Sequence, residues 1–149
     1  MRSCRWSVHV AAFVTSAHRY LQDLVTGLSI LTGGRKSVKL EACFALFDAD
    51  GDGKLTRREM WCFLRSFITG LTALSSTAMK STTAEAHDRI DDAAVAVTRE
   101  VFTRLQGPDK LKTIPFTDFA AWYNQEGFKV IPWVELLDIN KWPAATEQH

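Results

Sequence analysis

Two stretches on either side of residues 48–59 carry apolar residues at helical spacing. Upstream, Leu40, Phe44 and Phe47 recur at intervals of four and three, which places them on one face of a helix. The downstream stretch shows the same spacing, in a run whose apolar positions are Met60, Phe63, Leu64, Phe67 and Ile68. The pattern therefore predicts two amphipathic helices joined by a polar loop.

A longer apolar pattern follows a segment rich in Ser, Thr and Ala. We interpret that segment, residues 71–83, as a flexible linker or a frayed helix end. Thr82 and Glu85 form a capping box at the predicted start of the next helix, which should end near Leu105. A shorter helix is predicted to begin at Phe119. The face of the longer helix consists of Ile90, Ala94, Val97, Val101 and Leu105.

The polar loop has a spacing of acidic residues that an ordinary solvated turn does not need. Residues 48–59 read DADGDGKLTRRE and match the pattern D-x-[DN]-x-[DN]-G-x₅-E at every specified position. Gly53 takes the sixth position, where the chain turns sharply, and Ca²⁺ takes about six to eight oxygen ligands. The predicted ligands are Asp48, Asp50, Asp52, the backbone carbonyl of Lys54, Thr56 through water, and Glu59 with both carboxylate oxygens.

The loop and its two flanking helices resemble the EF-hand family. Residues 36–70 are identified as one hand with an intact calcium loop. The resemblance implies an all-α fold built around an EF-hand pair, with an extra N-terminal helix and a C-terminal helical tail. It also implies one Ca²⁺ per chain, with Mg²⁺ as a competitor.

Residues 84–126 resemble a second, degenerate hand. Ile114 stands where such a loop carries the apolar residue that would pair with Leu55 in a short β-bridge, and Asp118 stands at the loop-closing position. Counts from the two ends of this loop differ by one residue, which indicates an insertion. Only Asp109 and Asp118 are acidic, so we expect no Ca²⁺ in this loop.

Residues 1–34 are predicted to be an N-terminal helical segment. The part around Asp23 resembles the exit helix and linker that precede the third hand of neuronal calcium sensors and the calcineurin B group. The stretch before Asp23 lacks the acids and the glycine of a calcium loop, so it reads as the remnant of a degenerate hand. Two other interpretations are an ordinary amphipathic helix stopped by Gly33 and Gly34, and a signal or transit peptide, which His9 disfavours.

Residues 127–149 form an aromatic C-terminal tail. Gly127 is predicted to end the preceding helix and Pro132 to begin a short one. Large apolar residues are dense here, so we expect residues 128–142 to pack on the hand pair, with Trp133 as the anchor. The alternative is a free segment that binds another protein.

Composition and the absence of certain motifs argue against several classes of function. A net charge of +1 gives no polyelectrolyte argument for nucleic acid, and no apolar run is long enough to cross a bilayer. The four histidines are scattered, and no nucleophile or phosphate-binding motif occurs, so we expect no enzyme. Three cysteines without a C-x-x-C favour a reducing, cytoplasmic compartment.

The sequence thus predicts a calcium-dependent regulatory or sensor module. Its target would be a protein, either an amphipathic helix or a larger assembly. The alternatives are a structural scaffold that responds little to calcium, or the regulatory fragment of a larger enzyme.

Overall fold

The computed structural model describes residues 21–28, 33–74, 83–105 and 112–138. The fold is all-α apart from one short pair of strands, as predicted. The predictions that concern residues 1–20, Thr82, Asp109 and the tail beyond Asp138 lie outside the described residues. In chain order the elements are α1 (21–28), α2 (Lys36–Phe47), β1 (Lys54–Thr56), α3 (Arg57–Leu74), α4 (Thr83–Leu105), β2 (Thr113–Pro115), α5 (Phe116–Trp122), a π-helical turn (Tyr123–Gly127), α6 (Phe128–Val130) and a 3₁₀ helix (Pro132–Leu137).

The predicted apolar faces form one core. Helix α3 buries Met60, Phe63, Leu64 and Phe67 almost completely, and its ring contacts with α2 include Phe44 to Phe63 at 5.9 Å. Helix α4 adds Ile90, Ala94 and Val101 from its predicted face. Each buried aliphatic or aromatic side chain contributes about 1.5–3 kcal/mol relative to exposure, so this core is the main source of stability.

Strands β1 and β2 join the two predicted hands. They pair antiparallel, and Leu55 lies opposite Ile114. Both side chains are buried, at 0% and 1% exposure. The prediction that these two residues pair in a short β-bridge is confirmed.

Helix α3 continues past the predicted start of the linker at residue 71 and ends at Leu74. Near its middle α3 contacts α1, because Asp23 accepts a hydrogen bond from the Ser66 hydroxyl at 2.5 Å. The Arg65 guanidinium lies 3.7 Å from the same carboxylate. Asp23 therefore attaches α1 to α3. Among the described residues, no helix is both long and apolar enough to cross a membrane.

The prediction that Gly127 ends the exit helix is wrong. Gly127 has helical dihedrals, φ −61° and ψ −28°, and its carbonyl accepts a hydrogen bond from the Ile131 N–H at 2.8 Å. Glycine is needed here for space instead, because a Cβ at this position would lie 2.7 Å from the Trp122 ring. The helix therefore runs from α5 through the π-helical turn to Val130.

The described part of the tail, up to Asp138, packs against the core as expected, but its anchors differ from the prediction. Ile131, Val134 and Leu137 are fully buried, whereas Trp133 is half-buried and meets the Phe67 ring at 5.6 Å. Trp133 is therefore a peripheral contact. The three aliphatic residues recur at intervals of three, which matches the tighter repeat of a 3₁₀ helix rather than that of an α-helix.

Polar contacts fasten the tail to α2 and to the exit helix. The Glu135 carboxylate accepts hydrogen bonds from Lys36 Nζ and from the Tyr123 hydroxyl, each at 2.5 Å. Burial and this bond to Glu135 raise the pKa of Tyr123 well above its usual value, so the phenol remains the donor at physiological pH. Lys39 Nζ donates to the Leu137 carbonyl at 2.8 Å.

Candidate metal centre

Two glycines shape the acidic loop between α2 and β1. Gly51 and Gly53 have φ values of 72° and 77°, in the left-handed region that side-chain-bearing residues adopt at a cost. Gly53 was predicted from the loop pattern, whereas Gly51 was not. Both turns fold the chain back over Asp48, so that the loop is concave.

The three aspartates come together in this loop. Ligand oxygens of Asp48, Asp50 and Asp52 lie within 4.8 Å of one another, with Asp50 and Asp52 exposed and Asp48 partly buried. Asp48 accepts backbone N–H groups from Gly51 at 2.8 Å and from Gly53 at 2.7 Å, which fixes its position. Carboxylate oxygens this close are ligands that hard divalent cations prefer.

The carboxylates of the loop differ in proton affinity. Partial desolvation raises the pKa of Asp48, but the hydrogen bonds from Gly53, Asp50 and the following backbone N–H groups outweigh it, so the pKa lies below its usual value. The pKa of Asp50 is raised, first by its side-chain contact with Asp48 and then by repulsion from Asp52. Three crowded acids therefore repel one another, and a divalent cation would relieve that repulsion.

Thr56 and Glu59 form a capping box at the start of α3 that was not predicted from the sequence. The Glu59 N–H donates to Thr56 Oγ1 at 3.3 Å, and the Thr56 N–H donates back to Glu59 Oε2 at 2.8 Å. The signal was present as T-x-x-E at residues 56–59. The other oxygen of Glu59 accepts the Ala49 N–H at 3.3 Å, so this carboxylate spans from the end of the loop to its beginning.

These hydrogen bonds also affect Glu59 itself. Desolvation raises the pKa of Glu59, but the bonds from Thr56 and Ala49 outweigh it and lower the pKa overall. Glu59 is therefore held as a carboxylate facing the loop. Lys54, the remaining predicted ligand, lies in β1 with an exposed side chain, and its N–H donates to Asp52 Oδ1 at 2.8 Å.

The second loop, as far as the structure describes it, presents much less charge. Helix α5 begins after Pro115, which offers no side-chain cap, and Asp118 is exposed and receives only a long contact of 3.4 Å from the Thr117 hydroxyl. Among the described residues, the cluster of Asp48, Asp50 and Asp52 is the one group of His, Cys, Asp or Glu whose ligand atoms converge.

A family model described as "EF-hand domain" matches residues 39–70. Residues 39–70 are an EF-hand. This match covers the loop with the aspartate cluster and most of its two flanking helices, α2 and α3, and it does not extend to residues 84–126, the predicted second hand.

Three curated proteins resemble parts of this chain. A recoverin family protein of Dictyostelium discoideum is 43% identical over 56 residues, 37% of this chain and 25% of that protein. The calcium-binding protein NCSA of the same organism is 47% identical over 45 residues, 30% of this chain and 24% of that protein. A guanylyl cyclase inhibitory protein of Lithobates pipiens is 38% identical over 64 residues, 43% of this chain and 31% of that protein.

These similarities are confined to a segment, since the chain spans about a quarter to a third of the length of these relatives. No solved structure matches the chain significantly. An EF-hand domain implies calcium binding, and the matched residues 39–70 contain the aspartate cluster.

Proposed function

We propose that the loop of residues 48–59 binds one Ca²⁺ per chain and that the ion regulates a contact with a protein target. The supporting observation is the convergence of three aspartate carboxylates inside a loop that two left-handed glycines fold. The proposed ligands are Asp48, Asp50, Asp52, the carbonyl of Lys54, Thr56 through water and Glu59 with both oxygens. When bound, the ion supplies the positive charge that offsets the repulsion among these carboxylates.

Glu59 has two roles in this proposal. Both of its oxygens accept hydrogen bonds from Ala49 and Thr56, and the same oxygens are the proposed closing ligands. An ion at Glu59 would therefore bind the same carboxylate that caps α3. This links ion binding in the loop to the first turn of α3. Through α3, ion binding would alter a surface that binds a partner.

Isothermal titration calorimetry tests the site. We expect a stoichiometry of one and an affinity on the order of 10⁻⁷–10⁻⁵ M, and Mg²⁺ should lower the apparent affinity because it competes for the same oxygens. A stoichiometry near two would contradict the proposal, because it would require a second ion elsewhere in the chain.

A structural scaffold is the second candidate function, and the position of the tail favours it. Ile131, Val134 and Leu137 already cover the apolar surface of the hand pair. A calcium titration followed by a hydrophobic dye and by amide resonances separates the two candidates. Dye binding that rises with calcium identifies a sensor, whereas binding of the ion without a change beyond the loop identifies a scaffold.

We further propose a cytoplasmic location. The chain has three cysteines and no C-x-x-C, a composition that suits a reducing compartment. Fluorescence microscopy of a tagged full-length chain tests this, and secretion into the medium would contradict it.

A further inference from the structure

A surface groove lies between the first turn of α3 and the middle of α4. Its volume is about 530 Å³, and it is distinct from the apolar surface that the tail covers. It has a mixed lining of basic and apolar side chains and contains no acid. The lining residues are Arg57, Arg58, Trp61, Val95, Thr98 and Arg99.

Three arginines give the groove its charge. Arg57, Arg58 and Arg99 are all exposed, and none of them makes an ion pair with a described residue. By contrast, Arg65 and Arg104 each have carboxylate partners. The Arg57 guanidinium lies 4.5 Å from the centroid of the Phe102 ring, a contact that orients it while leaving its N–H donors available.

The groove also has an apolar part. Val95 is 46% exposed although it lies on a helix that packs in the core, and Trp61 beside it is half-buried. The Trp61 indole N–H is screened from solvent and has no acceptor among the described residues. A ligand that matches this lining needs carboxylates for the guanidinium groups and an apolar side chain for Trp61 and Val95.

We propose that this groove binds an acidic segment of a protein partner, in which carboxylates flank an apolar or aromatic residue. Guanidinium groups pair with carboxylates through two parallel hydrogen bonds, and Trp and Arg are the residues that most often dominate protein interfaces. This inference rests on the proposal that the chain acts on a protein target, and it specifies the chemistry of that target.

A peptide selection tests the groove. The full-length chain is immobilised and presented with a display library of random peptides, in parallel with Ca²⁺ and with a chelator. We expect selected peptides to be enriched in Asp and Glu around an apolar or aromatic residue. A selection without acidic enrichment in either condition would overturn the proposal, and it would leave the calorimetric test of the calcium site unaffected.

Matched variants then locate the binding. The double variant Arg58→Glu/Arg99→Glu should weaken a selected, fluorescently labelled peptide by about tenfold or more. The control Arg89→Glu/Lys129→Glu makes the same change in net charge at exposed residues outside the groove, and should change affinity less than about twofold. Equal losses in both variants would show non-specific attraction and overturn the proposal.

Amide and indole resonances give an independent location. The peptide should shift the indole N–H resonance of Trp61, which the Trp61→Phe variant assigns. A shift of the Trp133 indole alone would place the peptide at the tail and overturn the proposal. Arginine-dependent binding to phosphatidylserine vesicles or to nucleic acid, with no peptide selected, would overturn it in favour of another anionic partner.

Discussion

The two loops of the hand pair share a packing role and differ in chemistry. Leu55 and Ile114 are buried to the same extent and pair in one β-bridge. Only the first loop gathers three aspartates, whereas Asp118 in the second is exposed and isolated among the described residues. The β-bridge between the loops therefore does not require a matching acid cluster in the described part of the second loop. Variants in the two loops test whether the packing of the loops and the binding of an ion depend on different residues.

The largest effect on stability should come from variants of the β-bridge between Leu55 and Ile114. Leu55→Ala and Ile114→Ala should each lower the free energy of unfolding by about 2–5 kcal/mol, because both remove a fully buried side chain from the same joint. Urea denaturation in chelator measures this. Val38→Ala, at a position that is 60% exposed, is the control and should change stability by less than about 0.5 kcal/mol. A much smaller cost at Ile114 than at Leu55 would mean that the second loop is not an equal packing partner.

The loop-closing residues should differ most sharply in ion binding. Glu59→Gln should weaken Ca²⁺ binding by about a hundredfold or more, since it removes a charge and the bidentate geometry. Glutamine also serves in a capping box, so stability in chelator should change little. Asp118→Asn makes the corresponding change in the second loop and should leave the calorimetric titration as it is. Equal losses in the two variants would argue against one functional loop.

Threonine variants at the starts of α3 and α5 should show a smaller difference in stability. Thr56→Ala removes the cap of α3 and should lower the free energy of unfolding in chelator by about 1 kcal/mol. Thr117→Ala is the control in the second loop, because its exposed hydroxyl makes only the 3.4 Å contact to Asp118. Denaturation curves that coincide for the two variants would show that the capping box adds nothing to α3.

The smallest expected effect is a change in stability whose sign differs between chelator and Ca²⁺. Asp50→Asn removes one of the repelling carboxylates, whose neighbours raise its pKa. A raised carboxyl pKa means that ionisation destabilises the folded protein, so the variant should be slightly more stable than the parent in chelator near neutral pH. With Ca²⁺ present it should be less stable, because the asparagine oxygen still binds the ion but brings no negative charge to it. A thermal melt in each condition measures the sign, and a loss in chelator would refute the repulsion argument.

Local patterns predicted much of this molecule. The spacing of acids and glycine in residues 48–59 identified the loop, and the position of Ile114 identified its bridge to Leu55. These features could be predicted because a calcium loop fixes its residue types at fixed intervals, and helical faces repeat along the sequence. The ligand roles of individual residues stay predictions.

Features that depend on distant contacts could not be predicted. Gly127 looked like a helix stop, but its constraint comes from the Trp122 ring at 2.7 Å from an added Cβ. Trp133 looked like the tail anchor because of its size, yet the 3₁₀ repeat turns Val134 and Leu137 inward instead. The role of Asp23 could not be predicted from a loop spacing or from a helical repeat, since its partners lie on α3 about forty residues away.

The π-helical turn at Tyr123–Gly127 changes the rotational position, around the helix axis, of the side chains that follow it in the exit helix. A wider turn holds one residue more than an α-helical turn, and each α-helical residue spans about 100° around the axis. Every side chain after the turn is rotated accordingly, and with that rotation Ile131 points into the core. The number of residues between Trp122 and Ile131 therefore decides which face of the tail is inward. Apart from Gly127, this span should tolerate exchange of side chains far better than the gain or loss of a single residue.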